Sequence, residues 1–182
     1  HGQTDYNHRR CFYGSHDVSI NEQGQKDAKQ LALLMQEHPV DVIYTSWLKR
    51  TQETAQLAFP ERKVQPIADF DERGFGQWEG LTADEIEAAF PEVWQAWLEA
   101  PFEVTPPEAE VFSDFQTRVW AATDRLLDTT DESIALVAHL GVLRLIYQHL
   151  VDREAVFWNI DVPQGRVLLL EERDQTWQAT LL

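Results

Sequence analysis

Thiols are almost missing from this chain: Cys11 is the only cysteine among 182 residues. No disulfide can close within it, which permits and favours a reducing compartment. Long apolar runs are missing too. The longest, LALLM at 31–35 and IALVA at 134–138, hold 5 residues each, whereas crossing a bilayer takes about 18 or more. Positive charge is scarce, with 15 Lys and Arg against 31 Asp and Glu and a net charge of −16. No basic stripe offsets that balance, and such a surface repels both nucleic-acid phosphates and anionic lipid. Nucleic-acid and membrane partners are therefore not expected, and the expected location is cytoplasmic. Repeats of solenoid period and low-complexity tracts are lacking as well. The one proline-rich interruption, from Pro101 to Pro107, reads as a surface loop. What remains is ordinary globular usage, 43% apolar and 25% charged, in a chain long enough to bury roughly 70% of its unfolded surface. One domain spanning residues 1–182 is expected.

The elements alternate in type. Ala28, Leu31, Ala32 and Met35 recur at helical spacing over 22–37, and Pro39 ends the run. VDVIYT, rich in β-branched residues, predicts a short strand. Ser46 follows as the expected N-cap of a helix with Leu48, Thr51, Ala55 and Ala58 on one face. Thr82 and Glu85 form a capping box, Pro91 opens a helix carrying Trp94 and Trp97, and Ser113 with Gln116 gives a second capping-box pattern. SIALVAH reads as a fully buried parallel strand, and a helix with Leu145, Ile146 and Leu150 follows. RVLLLEE and TWQATLL predict a terminal hairpin. The expected class is α/β, three-layered, with a mainly parallel central sheet and helices on both faces.

In such sheets ligands sit beyond the carboxyl ends of the strands, where helix N-termini aim free amides at anions. That places Ser46 and Arg50 after one strand, and His139 with Gly141 after another. His1 and Gly2 take the matching position if a strand ends just before them. Two imidazoles and a guanidinium at one rim suit an oxyanion, most commonly phosphate. A neutral histidine is also a competent nucleophile toward phosphorus. Glu72, in the loop DFDERGFGQWEG, is the candidate acid for a leaving oxygen. Metal binding by His1, His8, His16 and Asp5 is not expected, since no histidine pair stands one helical turn apart. His38, His149, Trp94 and Trp97 read as structural, and Cys11, without a CxxC partner, as inert.

HGQTDYN at 1–7 resembles the signature of the histidine phosphatase superfamily, also called phosphoglycerate mutase-like. The resemblance continues in order through GSHDVSINEQGQKDA at 14–28, TSWLKRTQETA at 45–55, DERGFGQWEG at 71–80 and VAHLGVLR at 137–144. It implies His1 as the phosphorylated histidine, Arg50 as a phosphate-binding arginine, Glu72 as proton donor and His139 as the second histidine. It assigns Asn7 to the phosphoryl group, with Gln3 and Thr4 in the same loop and Gly14 and Leu140 at the substrate site. A metal-free, cofactor-free reaction on a small-molecule phosphate ester follows, with homodimerisation left open.

The family's pattern departs here at Leu140, where glycine is usual, and at Arg10, one place from the usual arginine, leaving Cys11 in register. The Gly-Glu-Ser stretch of the family appears as Ala109, Glu110 and Val111. The resemblance also implies a first strand and an arginine ahead of His1, so the domain is expected to be N-terminally incomplete over 1–182. Mutases of the family carry a longer insertion and a C-terminal tail. Only 31 residues separate Gly80 from Phe112 here, and the chain ends after its last predicted strand, which favours hydrolysis. The FGxWEG form is similar to that of α-ribazole phosphatases and broad phosphomonoesterases. A cofactor-dependent phosphoglycerate mutase and a catalytically weak phosphate-binding protein are the alternatives.

Overall fold

A computed structural model describes residues 1–182. Its centre is a three-stranded parallel sheet of β2 (Val42–Thr45), β3 (Gln65–Pro66) and β5 (Ile134–Val137), in the order β3-β2-β5. Alternation along the strands decides what each face buries. Ile43 packs with Ala55, Ala58 and Phe59, joined by Ala135 and Val137 of β5 and by Leu31 and Met35. That face is covered by α2 (Glu22–Gln36) and α3 (Lys49–Ala58). Leu136, one residue out of phase, packs on the larger cluster of Phe115, Val119, Ala122, Val142, Leu145 and Ile146. These come from α6 (Phe112–Thr129) and α7 (Leu140–Leu150), so helices cover both faces of the sheet.

Shorter elements wrap this centre. α1 (Asp5–His8) leads to β1 (Cys11–Phe12), which pairs antiparallel with β4 (Leu81–Thr82). α4 (Ala83–Ala89) starts at the Thr82–Glu85 capping box that the sequence predicts, and α5 (Pro91–Glu99) starts at its proline. Trp94 and Trp97 join Trp78 and Ile86 in a separate aromatic core. β6 (Leu168–Arg173) and β7 (Thr176–Leu181) form the terminal hairpin. Its turn residues Asp174 and Gln175 have φ of 53° and 64°, the left-handed pair that suits the twist of a two-residue connection.

Three expectations need correction. Ser46 does not cap α3: the N-cap is Leu48, without a side-chain bond, and the Ser46 hydroxyl, two residues ahead of it, meets the Leu48 amide at 3.2 Å as well as His139 and Thr51. Ser113 and Gln116 form no capping box, since α6 already begins at Phe112 with Val111 as its N-cap. Nor is β5 fully buried: over residues 1–182 it pairs with β2 alone and its four residues are half-buried. Residues of β5 and β6 line a cavity of about 1130 Å³ that also reaches His1, Arg50 and Glu72.

Candidate active site

The carboxyl ends of β2 and β5 lie side by side, Thr45 being in register with Val137. Each strand hands the chain to a helix within a few residues, so the polar residues in those turns gather at one rim. His139 is the backbone N-cap of α7. His1 joins them, its backbone nitrogen donating to the Ala138 carbonyl at 3.3 Å. The two imidazole rings stand 5.3 Å apart, inclined at 61°.

Hydrogen bonding settles which nitrogen of His1 is free. Nδ1 lies 2.7 Å from the Gly2 carbonyl. A carbonyl only accepts, so Nδ1 carries a proton, and in the neutral ring the lone pair is on Nε2. This is the tautomer a nucleophile needs. His139 is 1% exposed. Its Nε2 is 2.8 Å from the Ser46 hydroxyl, while its Nδ1 is buried without a partner. Burial, reinforced by the charge of Arg50, holds the His139 pKa well below 6.5, so the ring is neutral at physiological pH.

Arg50, the second residue of α3, is also 1% exposed. Its Nη1 and Nη2 donate to the carbonyls of His16 and Gly14 at 2.9 and 2.8 Å, and the guanidinium lies over the Tyr13 ring at 4.5 Å. That clamp leaves its buried Nε unpaired. A buried donor without a partner is costly. Arg50 Nε and, in the tautomer whose Nε2 accepts from Ser46, His139 Nδ1 are two such donors at this rim, and an anion with several lone pairs can accept from both.

Glu72 reaches the same place from the loop after β3. Its Oε1 accepts from the Arg73 amide and its Oε2 from the Gly141 amide, both at 3.1 Å. The Gly141 contact ties it to the start of α7, and no β-carbon fits at position 141 without striking that carboxyl. Burial raises the Glu72 pKa, and the bonds from Arg73 and Gly141 with the charge of Arg50 only partly oppose it. Glu72 thereby keeps its proton to higher pH than an ordinary carboxyl.

The remaining predicted site residues divide. Asn7 Oδ1 accepts from the Thr4 amide and from Gln164 Nε2 at 2.9 and 3.1 Å, which leaves its Nδ2 as the end available to an anion. Thr4 is fully buried and serves as N-cap of α1, its hydroxyl 2.7 Å from that of Tyr13. Gln3 turns away, its Oε1 accepting from Asn21 at 3.0 Å. Gly14 supplies the carbonyl that Arg50 grips, and Leu140 lines the cavity at the first position of α7. Arg10 lines the same cavity in a left-handed conformation, φ 59°. Among the described residues no group of three His, Cys, Asp or Glu side chains is placed to hold a metal.

Sequence reasoning missed the roles of Ser46, Tyr13, Gln164 and Arg73. Ser46 and His139 are 93 positions apart, so no local pattern joins them. Arg73 is 5% exposed with an unpaired Nη2, and nothing in its neighbourhood of mixed charges marks it as buried.

Relatives share this arrangement of elements. An adenosylcobalamin/alpha-ribazole phosphatase of Salmonella typhimurium is 30% identical over 169 residues, covering 91% of this chain and 84% of the relative. Phosphoserine phosphatase 1 of Hydrogenobacter thermophilus is 29% identical over 180 residues, covering 95% and 85%. The crystal structure of the alpha-ribazole phosphatase from Shigella flexneri superposes with a TM-score of 0.91 at 26% identity, covering 100% of this chain and 92% of that one. The sequence profile of the histidine phosphatase superfamily (branch 1) matches residues 1–182. With two facing imidazoles, a clamped arginine and a buried carboxyl at the ends of parallel strands, the chain belongs to the histidine phosphatase superfamily, branch 1.

Proposed function

We propose that the protein is a phosphomonoester hydrolase that works through a phosphohistidine at His1. The observation that carries this reading is the pairing of a fixed tautomer with a neighbouring acid. His1 presents an unprotonated Nε2, and Glu72, with a raised pKa, is anchored on the first turn of the helix that His139 caps.

The Nε2 lone pair of His1 attacks phosphorus, and the bond from phosphorus to the ester oxygen breaks. The Glu72 proton passes to that oxygen, so the alcohol departs neutral. Arg50 Nε, His139 Nδ1 and Asn7 Nδ2 donate to the three transferring oxygens, the kind of preorganised stabilisation that dominates phosphoryl transfer. Water then attacks the phosphohistidine and gives its proton to Glu72. The phosphorus–nitrogen bond breaks, its electron pair returns to Nε2, and inorganic phosphate leaves. Glu72 also borders a second, polar recess of about 590 Å³ lined by His16, Asp71 and Glu79, a route by which water reaches it. That access favours hydrolysis over transfer to a second substrate. The resemblance of the FGQWEG stretch to α-ribazole phosphatases makes α-ribazole phosphate the first natural substrate to assay.

Hydrolysis of 4-nitrophenyl phosphate in the presence of a chelator tests the reading. Turnover and an acid-labile phosphoenzyme are expected for the native chain, and both are expected to vanish in His1→Ala. Equal turnover by that variant sinks the assignment of the nucleophile.

A further inference from the structure

Two of the donors assigned to the transferring oxygens, Arg50 Nε and Asn7 Nδ2, sit on side chains that come from different parts of the chain. One aromatic residue outside the reacting set connects them. Tyr13 follows directly after β1. Its ring lies 4.5 Å from Cζ of the Arg50 guanidinium. Its hydroxyl stands 2.7 Å from the Thr4 hydroxyl, and that hydroxyl reaches Asn7 Oδ1 at 3.1 Å.

Proton directions along the second connection are forced. Asn7 Oδ1 only accepts, so the one proton of Thr4 goes to it. The Thr4 oxygen is left with lone pairs. One takes the Asn7 amide at 3.2 Å, and the other takes the Tyr13 proton. Burial raises the Tyr13 pKa, which keeps that proton in place at neutral pH. Thr4 is fully buried, and a buried acceptor left without its donor is costly. Without the phenol hydroxyl, the Thr4 oxygen loses its anchor and its grip on Asn7 Oδ1 weakens.

The first connection restrains Arg50 where hydrogen bonds cannot. Nη1 and Nη2 are held by the His16 and Gly14 carbonyls at 2.9 and 2.8 Å, contacts that follow the N–H directions in the guanidinium plane. Bonds of that kind resist sliding within the plane better than tipping out of it. A ring against the cation limits the tipping and adds its own attraction. The Tyr13 ring is itself braced, since Tyr6 meets it edge-on with centroids 5.1 Å apart at 84°.

We infer that Tyr13 is a positioning residue for phosphoryl transfer: its ring sets Arg50, and its hydroxyl, acting through Thr4, sets Asn7. One side chain thereby aligns two of the oxyanion donors. It does not hold the acid, because Glu72 is fixed by the Arg73 and Gly141 amides. The inference rests on the hydrolase reading for the reaction that is assisted, but not for the binding of the anion.

Tyr13→Phe keeps the ring and deletes the hydroxyl, whereas Tyr13→Leu deletes both. Tyr13→Phe is expected to lower kcat/KM by about 3- to 10-fold, and Tyr13→Leu by about 30- to 100-fold. Each loss should be the same for 4-nitrophenyl phosphate and for 2-phenylethyl phosphate, an alkyl ester that depends on Glu72, since neither change reaches the acid. Inorganic phosphate, titrated by calorimetry, should lose affinity in the same order. In an Asn7→Ala background, Tyr13→Phe is expected to cause no further loss. Tyr13→Met, which has no π face, replaces Tyr13→Leu should that variant not fold. Full additivity of Tyr13→Phe with Asn7→Ala overturns the inference, as does a loss several times larger for the alkyl ester or an effect of Tyr13→Leu no greater than that of Tyr13→Phe. Phosphate affinity that falls in the expected order, in a chain that turns over neither ester, supports the positioning role and refutes the hydrolase reading instead.

Discussion

Single side chains decide the chemistry here through which of their atoms is left over. His139 has one nitrogen on Ser46 and one free, and the free Nδ1 can donate to a phosphoryl oxygen only while Nε2 accepts. Ser46 must therefore donate its one proton to that nitrogen, which requires Thr51 to be the donor in the 2.9 Å contact between the two hydroxyls. Ser46→Ala removes that donor without touching substrate. It is expected to lower kcat/KM by about 10- to 100-fold, the cost of leaving a buried ring nitrogen unpaired and its tautomer unset, with the far-ultraviolet spectrum unchanged. An unaltered kcat/KM in Ser46→Ala contradicts the tautomer argument. Glu72 gives the pH dependence. Its raised pKa means that it holds its proton beyond the ordinary carboxylate range and loses it as pH rises through the shifted value. With an alkyl ester, activity should decline on that alkaline side, and His139, already neutral, should add no step there. Glu72→Gln is expected to cost about 10²- to 10⁴-fold and to erase the limb. A limb that persists in the variant belongs to another group.

Elements contribute by how closely their backbones approach the site, and two glycines separate function from folding. At Gly141 an added methyl meets the Glu72 carboxyl, the end of a side chain. At Gly14 it meets the Arg73 carbonyl, which is backbone, and Gly14 is also the residue whose own carbonyl Arg50 grips. Gly141→Ala is thus expected to displace the acid, cutting kcat/KM by about 10² or more while the thermal midpoint moves little. Gly14→Ala is expected to lower the midpoint by several degrees, through roughly 1–3 kcal/mol of overpacking. The opposite pattern, activity lost without destabilisation in Gly14→Ala and the reverse in Gly141→Ala, contradicts this placement. Elements are also where the reading of the sequence was strongest. α2 declares itself by Ala28, Leu31 and Met35, α4 by Thr82 and Glu85, and β2 by its β-branched run, because each signal is local. What failed was local chemistry overruled from a distance: Ser46 carries a capping residue's hydroxyl, but His139 claims it across the sheet. The convergence of positions 1, 50, 72 and 139 was legible only because strand ends and helix starts alternate along the chain; the contact of Tyr13 with Arg50 was not, since the two come from unrelated stretches with no shared local pattern.

At the scale of the whole molecule, β2 is paired on both sides, by β3 and by β5, and its carboxyl end stands in register with that of β5. Protection against hydrogen exchange follows hydrogen bonding and packing. Amides of Ile43 and Tyr44 in β2 are accordingly expected to be among the slowest in the chain. An anion bound beyond the strand ends ties α7 to the rim through the turn that carries His139 and Gly141. Saturating vanadate or phosphate should therefore slow exchange at His139 and Gly141 by roughly tenfold or more, while the amides of Ile43 and Tyr44, already limited by opening of the sheet, change less. Native-state exchange read by nuclear magnetic resonance distinguishes these amides one by one. Unchanged rates at His139 and Gly141 under saturating anion would contradict the placement of the anion at the ends of these strands.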